Sequence, residues 1–260
     1  MTPDHKDSEM IDSVVRALVA ARLGGTLADD RVWSDAALPL DQIYTIQEGV
    51  ARAMTWEAAP GQASHWKSGG TPDVPTFARL PPPCIHPSPA TLPASLTHRL
   101  GLEIEVAFRI ADTLTPANVD ALSRRALSEV FDAMTVSIEL VDFRWQQFEN
   151  AAPLLKLADL QSHGALVLGD WVPYRTIDWA QQAATLEVDG IVTRYTGSHP
   201  YIDPLWATGP WLRHAVARHG ELAAGSVVTT GSWCGMVWQD GPAQVVASFE
   251  GIGEAALRLT

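Results

Sequence analysis

The sequence predicts an α+β protein, in which a smaller helical N-terminal region precedes a β-rich domain. Three observations point to it. Apolar residues recur at helical spacing through the first 54 positions, short β-rich runs dominate after Pro93, and a proline-dense stretch separates the two textures. Strands with few intervening helices favour α+β over a doubly wound sheet.

The elements follow in chain order. Ser8 to Leu23 reads as an amphipathic helix with Ile11, Val14, Val15, Leu18 and Val19 on one face, Asp7 or Ser8 at its start and Gly24-Gly25 at its end. Asp41 to Met54 carries Ile43, Ile46, Val50 and Met54 at the same spacing. Gly69-Gly70, Pro72, Pro75 and six prolines from Pro81 to Pro93 then forbid helix and sheet interior. This places a boundary between residues 1–80, the helical region, and residues 81–260, the β-rich catalytic domain. Leu102–Ile110, Ser137–Val141, Ala165–Leu168, Thr185–Val188, Ile191–Tyr195, Val227–Thr230 and Val245–Phe249 read as strands, with Asp189-Gly190 as a hairpin turn. Two helices interrupt them: Thr115-Pro116 to about Ala133, and Trp211 to His219, closed by Gly220.

Composition narrows the function classes. Of 260 residues, 47% are apolar and 18% charged, enough for a sizeable core. Eighteen basic against thirty acidic residues leave a net charge of −12, which argues against nucleic acid and membrane surfaces as partners. A metal or a local cation would still allow an anionic substrate. No apolar run reaches the roughly 18 residues of a spanning helix, and Met1 to Glu9 lacks a signal-peptide pattern, so a cytoplasmic protein is expected. Cys84 and Cys234 are too few for a disulfide framework.

Chemistry concentrates in Gly101-Leu-Glu-Ile-Glu-Val-Ala-Phe-Arg-Ile110. On a strand, Glu103 and Glu105 share a face opposite Leu102, Ile104, Val106 and Phe108. A solvated strand face would explain that pair alone. Glu139 lies inside the apolar run Val136-Ser-Ile-Glu-Leu-Val141, where a lone carboxylate is costly. Three strand-borne carboxylates form an oxygen-only site suited to Mg²⁺ or Mn²⁺. Other patterns carry less. Ser64-His-Trp-Lys67 lacks its companion motifs, Gly251-Ile-Gly253 opens no helix, and His214 and His219 miss the i, i+4 spacing for zinc.

Glu103-Ile-Glu105, Ile138-Glu139-Leu-Val and Trp66-Lys67-Ser-Gly69 together resemble the fumarylacetoacetate hydrolase superfamily. Within it the chain is most similar to the 2-keto-4-pentenoate hydratase and 4-oxalocrotonate decarboxylase branch. Tyr44-Thr-Ile-Gln47, Gly164-Ala-Leu-Val-Leu-Gly169, Ser198-His-Pro200, Gly225-Ser-Val-Val-Thr-Thr-Gly231 and Phe249-Glu-Gly-Ile-Gly253 match in order over most of the chain. The resemblance implies a β-rich mixed-sheet roll and a homo-oligomer. It implies that Glu103, Glu105 and Glu139 hold Mg²⁺ (or Mn²⁺) against the carboxylate and 2-oxo oxygen of a small acid. Lys67 then matches the branch lysine, as acid/base or substrate anchor, and Asp73 in Pro72-Asp-Val74 is the candidate match to a Pro-Asp-Phe motif. Trp66 and Trp233, beside matched motifs, are candidates to shape a substrate pocket.

The departures bear on the reaction. The branch's Asp-Thr-Val-Ala-Asp-Asn stretch appears as Leu155-Lys-Leu-Ala-Asp-Leu160, so Lys156 either mimics the catalytic lysine of the superfamily's C–C bond hydrolases or is a surface lysine. The leading expectation is a metal-dependent hydratase adding water to a small 2-hydroxy-2,4-dienoate or 2-oxo-3-enoate acid of aromatic-compound degradation. The alternatives are a 2-oxo acid decarboxylase, an acylpyruvate-type hydrolase using Lys156, and a non-catalytic relative.

Overall fold

The computed structural model describes residues 5–33, 38–59, 61–124 and 129–260. The N-terminal region supplies helices α1 (His5–Gly24) and α2 (Leu40–Ala53). Strands β1 (His65–Gly70), β2 (Pro75–Leu80), β3 (Ile85–Pro87), β4 (Ala90–Leu92) and β5 (Gly101–Ile110) follow. After α3 (Pro116–Val119) come β6 (Phe131–Val141), α4 (Pro153–Ala158), β7 (His163–Leu168), β8 (Val172–Pro173), β9 (Ala183–Val188) and β10 (Ile191–Thr196). The chain ends with α5 (Thr208–His219), β11 (Val227–Thr229), β12 (Val237–Trp238), β13 (Ala243–Phe249) and β14 (Gly253–Leu259). No helix among the described residues is long and apolar enough to cross a membrane.

Two mixed sheets make the β-rich body. The larger runs β2-β1-β11-β5-β6-β7-β3, with β12 on β5 and β8 on β6; the smaller runs β10-β9-β13-β14-β4. One face of β5 and β6, carrying Ile104, Val106, Phe108, Met134, Val136 and Ile138, packs on Leu186, Val245, Ala247 and Leu257 of the smaller sheet. Their opposite face is left for chemistry. β1 and β2, which precede the proline segment, pair into the same sheet as β11 and β5.

The helices form a separate core in which α1, α2 and α4 meet around Leu18, Ile43, Ile46, Trp145 and Leu155. A Cβ at Gly49 would come 2.8 Å from a Val15 methyl, so the two long helices cross closely only because that position is glycine. α1 starts earlier than its sequence signals indicate, and Asp7 accepts a hydrogen bond from Gln42 Nε2 at 2.9 Å.

Some boundaries differ from the sequence reading. Among the described residues, the helix expected from Thr115 to about Ala133 is α3 plus a 3-10 turn over Asp120–Arg124, and positions 125–128 of that expectation lie outside the described residues. Phe131 to Ala133 pair instead with Ile110 and Arg109 of β5, because joining that ladder satisfies their backbone groups. The proline run holds two three-residue strands, β3 and β4, each at a sheet edge where proline is tolerated. The hairpin turn stands at Asp189-Gly190, with φ of 49° and 82°.

A buried ion-pair network joins the helical core to the sheet. Arg144, 2% exposed, donates from Nε to both Asp159 oxygens at 2.8 Å, from Nη1 to Asp142 at 3.0 Å, and from Nη2 to the His163 carbonyl at 2.8 Å. Arg22 of α1 adds a bond to Asp159 at 2.8 Å. Asp159, matched above to a catalytic motif, is thus the counter-ion of two guanidinium groups. Replacing it by alanine takes the ion-pair partner from Arg22 and leaves Arg144 with Asp142 alone, and urea unfolding of Asp159→Ala is expected to show a loss of about 3–5 kcal/mol. A loss below about 1 kcal/mol, the scale of an exposed pair, would refute that role.

Candidate metal centre

The antiparallel β5–β6 register builds the centre. Glu103 stands directly opposite Glu139, and Glu105 opposite Ser137, so all three carboxylates share the face turned away from the sandwich core. One oxygen from each lies within 4.8 Å of the others. Glu105 and Glu139 are fully buried, and the Glu103 side chain is only 15% exposed.

The neighbouring strands supply what holds the acids. β1 reaches this face through β11, in the register Lys67–Thr229–Ala107. Thr229 Oγ1 and the Gly231 amide, the latter at 2.8 Å, donate to Glu105 Oε2. Lys67 Nζ lies 2.7 Å from Glu139 Oε2 and 3.9 Å from Glu103 Oε2. From β7, His163 Nδ1 is 3.0 Å from Glu139 Oε1; a carboxylate only accepts, so Nδ1 carries the proton.

Burial and mutual repulsion set the titration of these groups. Burial pushes Glu103 up to about 8, with Glu139 and Glu105 adding to the rise and Lys67 opposing it. Glu105 is also raised, first by burial and then by Glu139. Burial disfavours the Lys67 ammonium, but the three carboxylates outweigh it and lift Lys67 above the ordinary lysine value. Burial, reinforced by Lys67, Arg144 and Arg22, holds His163 well below the usual imidazole value, hence neutral.

These residues fit a hard divalent cation. Glu105 Oε1 is buried and has no hydrogen-bond partner, and one ammonium faces three carboxylates. An all-oxygen donor set of this kind suits Mg²⁺ or Mn²⁺.

The turn following α4 shapes the approach. Leu160, Gln161 and Ser162 have φ of 54°, 55° and 60°, three successive non-glycine residues in the left-handed region. Such residues cost of order 1–3 kcal/mol each and persist where their surroundings fix them; here Arg144 clamps Asp159 and His163 on either side. The turn aims the Gln161 carbonyl at Lys67 Nζ, 3.3 Å away, while Gln161 Nε2 donates to Thr76 at 3.0 Å. A cavity of about 510 Å³ opens in front of Lys67 and Glu103, with Phe143, Leu157, Gln161 and Met236 among its walls.

The other expected residues lie apart. Lys156 borders this cavity, but its ammonium donates to the Glu149 carbonyl at 2.7 Å. Asp73 is exposed in the β1–β2 turn and is not among the cavity's lining residues, although Thr71 and Val74 beside it are. Trp66 points to the opposite face of β1 from Lys67, and Trp233 is buried against Trp179 and Phe249, so neither tryptophan lines this cavity. Cys84 and Cys234 are free. The sequence reading gave no role to His163, Thr229 or Gly231; the signals available were a histidine opening an apolar strand and the matched stretch Gly225–Gly231, which holds the other two.

Two outcomes follow. Cation binding must discharge the proton that Glu103 holds below about pH 8, so Mg²⁺ affinity should rise with pH up to that value and then level. Calorimetry in buffers of different ionisation enthalpy should show proton release near pH 7, and Glu105→Gln should abolish binding; pH-independent affinity would refute the linkage. His163→Ala should weaken Mg²⁺ binding by about 10–100-fold, because Glu139 loses the partner that orients it; unchanged affinity would remove that role.

The comparisons with known proteins agree with this architecture. A model of the fumarylacetoacetate (FAA) hydrolase C-terminal family matches residues 50–260. The structure of 4-oxalocrotonate decarboxylase from Pseudomonas putida G7, complexed with magnesium and adipate, superposes with a TM-score of 0.80 over 97% of this chain and 98% of that one, at 15% identity. The 2-hydroxyhepta-2,4-diene-1,7-dioate isomerase from Mycobacterium marinum gives 0.55 over 77% and 75% at 20% identity, and the 5-carboxymethyl-2-hydroxymuconate delta-isomerase from Mycobacterium smegmatis 0.53 over 77% and 79% at 19%. No curated protein sequence matches the chain. With the family model covering most of its length and the helical region completing the decarboxylase-like fold, the chain belongs to the fumarylacetoacetate hydrolase family.

Proposed function

We propose that the protein is a metal-dependent lyase acting on a small 2-oxo or 2-hydroxydienoate acid, with hydration of the conjugated acid as its reaction. The observation that carries this reading is the buried Lys67 ammonium, 2.7 Å from Glu139 and facing the cavity. Glu103, Glu105 and Glu139 would hold Mg²⁺ or Mn²⁺, and the magnesium and adipate in the decarboxylase structure support a cation with a small carboxylic acid. When bound, the cation supplies positive charge where negative charge develops on the substrate's 2-oxygen.

Lys67 carries the protons. Held protonated by the carboxylates around it, it donates to the dienol's distal carbon, and the resulting amine takes the enol hydroxyl proton, which leaves the 2-oxo-3-enoate and restores the ammonium. In the hydration step the ammonium protonates the carbon next to the 2-oxo group as water's oxygen bonds to the far alkene carbon, and the amine takes the water's proton, restoring the ammonium again. The Gln161 carbonyl fixes Nζ on the cavity side through both steps. Val141, Phe143, Leu157 and Met236 give the cavity apolar walls, which suit an unsaturated carbon chain.

Decarboxylation is the second reading, favoured by those apolar walls, which disfavour a carboxylate more than neutral CO₂. A hydrolase using Lys156 has less support, because that ammonium is bonded to Glu149 O and water activation needs a free base. The retained triad and Lys67 argue against a non-catalytic relative. We also take the protein to be a homo-oligomer, as the family resemblance implies.

The test is a screen of 2-hydroxydienoates, 2-oxo-enedioates and acylpyruvates with Mg²⁺, following loss of enol absorbance and identifying products. A hydrated 2-oxo acid supports hydration, CO₂ release supports decarboxylation, and turnover of acylpyruvates alone overturns both. On the substrate found, Lys67→Ala should lower kcat by roughly 10²-fold or more with Mg²⁺ still bound, whereas Lys156→Met should stay within a few-fold. A large loss in Lys156→Met would restore the hydrolase reading.

A further inference from the structure

A second cavity, of about 300 Å³, lies on the other side of the β1–β2 hairpin from the metal centre, beside α2 and α5. Alternation along β1 separates the two: Lys67 faces the metal side, and Trp66 faces this one. Tyr44, Trp56 and Trp66 give it aromatic walls, and Arg79, His214 and His219 give it polar groups. None of these six residues lines the metal-side cavity.

The polar groups are uncommitted. The other arginines of the cavity are paired, Arg218 Nε with Glu48 at 2.6 Å and Arg52 with Glu57 at 3.5 Å. Arg79 is half-buried and has no hydrogen bond or ion pair among the described residues. Burial presses its charge down, relieved in part by Glu57. His214 and His219 stack on Tyr44, Phe77 and Trp66, yet neither imidazole has a hydrogen-bond partner among the described residues. Burial holds both down to about 4, so each is a neutral ring with one N–H to give. A half-buried guanidinium with no direct ion-pair partner among the described residues is costly, and an anion entering the cavity would relieve it.

We propose that this cavity is a binding site for a small planar monocarboxylate, such as a one-ring aromatic acid, with its carboxylate on the Arg79 guanidinium and its ring against Trp66 and Trp56. A free guanidinium fork matches a carboxylate in a bidentate manner. The volume sits at the small end of ligand pockets, which restricts the ligand to a single ring. With Glu48 and Glu57 paired to Arg218 and Arg52, Arg79 is left as one uncompensated cation, which matches a single negative charge and disfavours a phosphate ester or a dicarboxylate.

The experiment is a calorimetric titration of the full chain with benzoate, repeated with the uncharged isostere benzamide. Benzoate should bind wild type and Glu105→Gln within about two-fold of each other, because the metal centre is a separate site. Arg79→Met should weaken benzoate by about ten-fold or more, Arg79→Lys should retain an intermediate affinity, and benzamide should bind about ten-fold or more weakly than benzoate. Quenching of tryptophan fluorescence by benzoate in wild type, reduced in Trp56→Phe, would place the ring. Unchanged affinity in Arg79→Met, loss of binding in Glu105→Gln, or no saturable binding up to about 10 mM would each overturn the proposal.

Discussion

Three carboxylates buried on one sheet face are the constraint on which the rest of this structure depends. Glu103 and Glu139 are direct cross-strand neighbours, the arrangement in which like charges destabilise a ladder most. The fold tolerates it because every adjacent strand brings a compensating group to the same place. β1 contributes the Lys67 ammonium, β11 the Thr229 hydroxyl with the Gly231 amide just beyond it, and β7 the His163 N–H. Even so, Glu105 keeps an unpartnered buried oxygen, and Glu103 stays protonated to about 8. A protein evolved for stability alone would replace such a cluster with apolar residues. A cation held between the carboxylates, as proposed above, would offset that cost.

Holding Lys67 in register with that cluster sets the geometry around it. Because β1 alternates, fixing Lys67 toward the carboxylates fixes Trp66 toward α5 and creates the aromatic cavity behind the hairpin. The left-handed turn at Leu160–Ser162 stands between them: Leu160 borders the aromatic cavity, while Gln161 and Ser162 border the metal-side one. Its unfavourable backbone is sustained by Arg144, which grips Asp159 before the turn and His163 after it. The buried ion-pair network and the candidate catalytic lysine are therefore parts of one mechanical unit.

Much of this was legible in the sequence because it depends on local rules. The i, i+2 spacing of Glu103 and Glu105, and a carboxylate inside the apolar run around Glu139, required no knowledge of tertiary structure. The pairing register did. Nothing local specifies that Glu103 meets Glu139, or that Thr229 lies between Lys67 and Ala107. β1 and β14 escaped for another reason: His65–Gly70 and Gly253–Leu259 have few β-branched residues and become strands through pairing with β2, β11, β13 and β4. Phe131–Ala133 likewise follow their ladder rather than the preceding helical pattern.

The altered segment Leu155-Lys-Leu-Ala-Asp-Leu160 shows why a motif has to be judged by its contacts. In the sequence, Lys156 is a candidate catalytic lysine and Asp159 keeps an aspartate of the branch's stretch. In the fold they point into different environments, Asp159 toward Arg144 and Arg22 in the protein interior, Lys156 toward the Glu149 carbonyl at the cavity rim. Both Asp159 oxygens accept from guanidinium groups, and Asp159 is not among the residues lining the metal-side cavity. Both lysines donate to a backbone carbonyl, Lys156 to Glu149 and Lys67 to Gln161, but only Lys67 is also ion-paired with the carboxylate cluster, 2.7 Å from Glu139. Its ammonium borders the open cavity, where a change in local charge, such as an arriving cation, would change its readiness to give up a proton. The proposed chemistry therefore rests on β1, β5 and β6, while the segment after α4 is tied to Arg144 through Asp159 and the His163 carbonyl.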